Sequence, residues 1–156
     1  MTLFRIATAL VIIPLSATAE SRDSSSVSYG TSNNYFEALS GELQVYRSQF
    51  TIDRFENLDG SDPIFESGDC FGSFVILRGI PSGGGNCVFV DANGDRALQA
   101  WSIDSVDLGI GRGTWHFIGG TGAHAGITGR GYYESETVAR TGETKNTIHG
   151  TVSWPD

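Results

Sequence analysis

The chain has 156 residues, with 18 acidic against 10 basic side chains and a formal net charge of −8. This length suits one domain with a single core. The acidic balance works against nucleic acid and anionic membrane surfaces as partners, and it identifies no other partner.

The N-terminal segment reads as an export signal. Arg5 precedes an apolar run from Ile6 to Leu15, and Ala17-Thr18-Ala19 supplies an A-x-A cleavage site. The run is too short to cross a hydrocarbon layer of about 30 Å as a helix. Residues 1–19 are therefore expected to be a cleaved signal peptide. The mature chain would be exported, periplasmic or secreted, with no membrane association after cleavage. Residues 20–34 (ESRDSSSVSYGTSNN) hold little apolar area and are expected to form a flexible polar tail. Residues 35–156 make up the expected folded domain.

From there the chain reads as short strands between turn signals. Phe36–Leu39 suggests a single helical turn at most. Leu43–Arg54 alternates, with Tyr46, Phe50 and Ile52 on one face. Phe71–Leu77 is a strand of aromatic and β-branched residues, ended by Pro81. Ser82–Gly85 is a flexible connection. Cys87–Val90 and Ala97–Ile103 flank Asp91-Ala92-Asn93-Gly94-Asp95, where Asn-Gly is a hairpin signal. Gly113–Ile118, Ala125–Glu134 and Thr144–Trp154 follow. Seven or eight strands at hairpin spacing predict an all-β fold: a single eight-stranded antiparallel up-and-down β-barrel, calycin-like, with little or no helix. The nine glycines between Gly109 and Gly131 fit strands that curve sharply.

The chemistry-bearing motifs are sparse. Gly109-x-Gly111-x-Gly113 precedes a strand, so no helix N-terminus is offered to a phosphate. Asp91-x-Asn93-x-Asp95 begins like a calcium loop, but Ser102 stands where a bidentate Glu is needed. His116, His124 and His149 are scattered, and no metal site is expected. There is no G-x-S-x-G elbow, and no cofactor is expected. Glu134 and Glu136 are weak acid–base candidates at a strand end. Cys70 and Cys87, the only cysteines, favour a disulfide in an exported chain, the alternative being two free buried thiols.

Trp101, Trp115 and Trp154 fall on three strands. With Tyr46, Phe74 and Tyr133 they are candidates to line a barrel interior, either as core or as the wall of an apolar pocket. Strand parity gives relative facing and leaves open which face is inside. His116 is added to these candidate ligand-binding residues. No catalytic residue is assigned.

Two stretches carry a family resemblance. Asn86 to Asp95 (NCVFVDANGD), and Gly113 to Gly122 (GTWHFIGGTG) followed by Gly126-Ile127-Thr128-Gly129, resemble segments of exported bacterial proteins of the allene oxide cyclase barrel-like (dirigent-like) superfamily. The resemblance covers residues 68–131, and Cys70 suits a partner for Cys87. It implies an eight-stranded barrel, a cavity for an apolar molecule and assembly as a homo-oligomer, a trimer in many relatives. Trp115 and His116 depart from the family pattern. Three functions remain open on sequence: a non-catalytic exported barrel binding a small hydrophobic molecule or serving as a stable module; a cofactor-free cyclase or isomerase acting within the cavity; and a filled barrel with a structural or interaction role.

Overall fold

The computed structural model describes residues 20–155. The expected signal peptide lies outside them. Eight strands run in chain order: β1 (Glu20–Ala38), β2 (Leu43–Asn57), β3 (Ser67–Leu77), β4 (Ile80–Val90), β5 (Arg96–Asp107), β6 (Ile110–Gly120), β7 (Thr128–Thr137) and β8 (Glu143–Trp154). Each pairs antiparallel with the next, and β8 pairs with β1 to close the barrel. Among the described residues the only helical element is a short 3-10 turn, Gly122–His124. The eight-stranded up-and-down barrel expected from the alternation is therefore the fold. A closed ladder leaves no open sheet edge.

The segment expected to be a flexible tail is corrected by the structure. Residues 20–34 form most of β1, and Phe36 lies in the same strand, not in a helical turn. Glu20 to Thr31 pair with β8, and Ser26 to Ala38 pair with β2. A run of serines has no apolar period, yet its backbone donors and acceptors can join a ladder as well as any others. Two open edges, one on β2 and one on β8, supply that ladder. The register shifts once, with Tyr29 opposite Arg54 and Gly30 opposite Ile52. The extra β2 residue lets both Ile52 and Phe55 reach the buried side.

Two further expectations change. Ser82–Gly85 is not a loose connection but part of β4, and Pro81 lies inside that strand opposite Ile76. β4 pairs with β5 only from Gly84 onward, so on that side Pro81 interrupts no ladder. At the Asn-Gly turn only Gly94 has positive φ, at 84°. The tight two-residue turns are Arg78-Gly79 (φ 53° and 79°) and Leu108-Gly109 (φ 49° and 81°), in which both positions are left-handed.

One end of the barrel carries the short turns β1–β2, β3–β4, β5–β6 and β7–β8. The opposite end carries the 58–66 loop, the Asp91–Asp95 turn and the Gly122–His124 turn. The core has two clusters that meet around Trp101, Phe117 and Phe65: Phe50, Ile52, Phe55, Cys70, Cys87 and Phe89, and Ala97, Trp115, Ile127, Ile148 and Val152. Cys70 and Cys87 face each other across β3 and β4 and form a disulfide, with Cα atoms 3.9 Å apart.

Candidate functional site: the barrel interior

The interior is organised by aromatic rings set over glycines. Trp101 on β5 and Trp115 on β6 are register partners. Trp101 lies over the facing pair Gly72 and Gly85, where an added Cβ would meet its Cζ2 at 2.4 and 2.7 Å. Trp115 lies over the facing pair Gly131 and Gly150, and a Cβ on Gly150 would meet its Cζ2 at 2.6 Å. The Trp115 indole N–H is directed to the carbonyls of Tyr132 and His149, at 3.2 and 3.3 Å. Phe89 occupies the side-chain space of Gly68, and Tyr133 that of Gly113. No side chain other than hydrogen fits at these positions, because the facing ring or carbonyl is already there.

Tyr133 donates its hydroxyl to the Ser102 carbonyl at 3.2 Å. Burial, aided by the negative charge of Asp104, holds its phenol far above the ordinary value, so it stays a neutral donor. Tyr46 and Phe74 stack at 4.9 Å near the short-turn end, with Phe36 tilted against Tyr46 at 5.2 Å. The 58–66 loop folds Phe65 onto Phe55, Phe89, Phe117 and His124, with ring centroids 4.9–6.3 Å apart.

The seven candidate ligand residues therefore do not converge on one pocket. Tyr46 and Phe74 form one group, and Trp101, Trp115 and Tyr133 a second. Trp154 belongs to a third at the loop end. His116 lies apart from all three groups. It follows Trp115 on β6, so its side chain faces the outer wall, where it is exposed, while Trp115 is buried. Between Phe55, Phe65, Phe89, Gln99, Trp115 and Phe117 lies a cavity of about 40 Å³. That is room for about one water molecule. A pocket for a drug-sized apolar molecule has roughly 300–1,000 Å³.

Polar groups inside are few. Among the described residues, the buried polar ones are Ser28, Gln99, His124 and Thr144, with no carboxylate among them. Asp91 comes nearest, at 10% side-chain exposure. Its Oδ2 lies 3.0 Å from His124 Nε2, and its Oδ1 accepts the backbone N–H of Asn93 and of Asp95. Burial alone would raise its pKa. The two N–H donors and His124 outweigh it and hold the carboxyl below the ordinary range. The Trp154 indole donates to His124 Nδ1 at 3.4 Å. Asp95 accepts the Ala123 N–H and fills the space beside Gly122. Both carboxylates of the calcium-like run are thus turned to protein donors. Glu134 is paired on the outer surface with Arg112 at 2.7 Å. Among the described residues, no group of three His, Cys, Asp or Glu side chains converges as a metal site would require.

The sequence reading missed the Asp91–His124–Trp154 connection, whose members are far apart in the chain. It also missed Phe65, which sits in a loop without periodicity. Comparison with known protein families, with curated proteins and with solved structures gives no match.

Proposed function

We propose that this chain is an exported, non-catalytic β-barrel module whose interior is a packed core. It would be a filled member of the allene oxide cyclase barrel-like group that its glycine-rich segments resemble. The observation that carries this reading is the seating of Trp101 and Trp115 over Gly72, Gly85 and Gly150, which uses the space an apolar guest would need. The cavity of about 40 Å³ and the absence of a carboxylate among the buried residues support the same reading against a cyclase or a carrier. The disulfide fits an oxidising compartment, as export would provide.

Native mass spectrometry of protein purified from its source tests the proposal and also reads the oligomeric state. The expected result is a mass equal to that of the polypeptide or its multiples. A stoichiometric apolar molecule retained with the barrel would overturn it. Trp115→Ala serves as the positive control, since removing the indole opens space in which an apolar fluorescent probe can bind.

A further inference from the structure

The outer wall of β6, β7 and β8 carries a different arrangement. Two outward rows cross the three strands in register: His116, Arg130 and Thr151 in one, and Thr114, Tyr132 and His149 in the other. Between them run the inward-facing Trp115, Gly131 and Gly150, which present only backbone to the outside. The result is a shallow, open trough lined by Thr114, His116, Arg130 and Thr151. Its glycine floor is enforced from the inner side, where a Cβ on Gly150 would meet the Trp115 ring and one on Gly131 the His149 carbonyl. The core and the trough are two faces of one substitution pattern.

The trough is cationic on an acidic chain. Arg54, Arg78 and Arg112 are each held by a glutamate, Glu56, Glu42 and Glu134. Arg130, like Arg47, Arg96 and Arg140, has no ion pair among the described residues, and its ladder neighbours are His116 and Thr151. The nearest carboxylate along that row is Asp23, one strand beyond Thr151. Beside the trough Tyr132 is 60% exposed, and its ring stacks on His149 at 5.0 Å. His149 is held in turn by Ser25 at 3.0 Å, and Thr114 by Ser102 at 2.9 Å.

We infer that this trough binds a carboxylated saccharide of the uronate type. The guanidinium of Arg130 offers a planar fork that matches a carboxylate. Thr114, Thr151 and His116 supply donors and acceptors for ring hydroxyls. The exposed tyrosine gives an aromatic face for the apolar side of a sugar ring. Two strand spacings of about 4.8 Å give the trough the length of a disaccharide. The inference goes beyond the proposed module role and does not require the interior to be filled, so the two can fail separately.

The test is titration of the full mature chain, labelled with nitrogen-15, with digalacturonate. Acetate and a neutral disaccharide are the comparison ligands. Shifts should be confined to β6–β8, with affinity at least tenfold above either comparison ligand and falling with added salt. Arg130→Gln and Tyr132→Ala should each weaken binding about tenfold or more with the melting temperature unchanged, since both side chains face solvent. Binding that acetate matches would overturn the saccharide assignment, and binding that the neutral sugar matches would overturn the anionic one. No shift at millimolar digalacturonate, or full affinity in Arg130→Gln, would overturn the site itself.

Discussion

The indole of Trp115 fills the space in which Gly150 would otherwise carry a side chain, and a Cβ there would also meet the Arg130 carbonyl at 2.3 Å. The same relation holds between Trp101 and Gly72. Alanine at Gly72 or Gly150 therefore overpacks the interior and pushes strands apart. Each substitution should destabilise the fold by about 1–3 kcal/mol. Gly41→Ala is the control, because a Cβ there meets nothing within 4 Å. Urea unfolding of the three variants checks this, and equal midpoints for Gly41→Ala and Gly150→Ala would contradict it.

The disulfide closes a short loop, 17 residues in sequence separation, inside the first core cluster. Replacing Cys70 and Cys87 together by alanine should lower stability by roughly 3 kcal/mol in the chain-entropy picture. Mass spectrometry of alkylated, non-reduced protein checks the bond directly. Two modified thiols would be the contrary result.

The Asp91–His124–Trp154 chain fixes a tautomer. An indole N–H can only donate, so His124 Nδ1 must accept and Nε2 must carry the proton offered to Asp91. Nitrogen-15 spectra at neutral pH should show that tautomer. The lowered pKa of Asp91 also has a sign. Its contribution to stability is complete above the ordinary carboxylate range and is lost as pH falls through the lower folded value. Asp91→Asn should therefore be less stable than the wild type at neutral pH and show a shallower loss on acidification. Unfolding midpoints measured from neutral to acid pH would show parallel curves if the pairing were of no consequence.

Tyr133 gives the alkaline counterpart. Burial raises its phenol above the ordinary value of 10. The stability difference is absent below that value. Above it the unfolded chain ionises first, so stability falls as pH rises. Spectrophotometric titration should leave one tyrosine un-ionised until the barrel unfolds. In Tyr133→Phe that delayed step should vanish, at a cost of about 1 kcal/mol for the lost hydrogen bond. A delayed step that survives the substitution would assign it to another tyrosine.

Much of this fold was readable because antiparallel strands with one buried face write their period into the chain. Leu43–Arg54 shows this most plainly, with Phe50 and Ile52 both buried in β2. What could not be read has definite physical causes. β1 is serine-rich, and backbone pairing leaves no mark on side-chain pattern. The Gly83-Gly84-Gly85 run resembles a linker in composition, yet it is a strand whose missing side chains make room for Phe74 and Trp101. The facing of Trp115 and His116 was fixed only relative to each other. Parity could place one inside, and only the closed barrel says which. Arg130 and Tyr132 alternate on β7 on the same outward face, but nothing in the sequence marks Arg130 as lacking an acidic partner.

The seam between β1 and β8 differs in kind from every other pairing in the molecule. Seven of the eight interfaces join neighbours in the chain, whereas this one joins Ser25 to His149 and Ser24 to Gly150. The hairpins can form locally and early, while the seam must wait for the most distant strands to meet. Until then both β1 and β8 keep an unpaired edge. The slow step of folding, and the interval most open to strand exchange between molecules, is therefore set by a serine-rich strand with few apolar side chains.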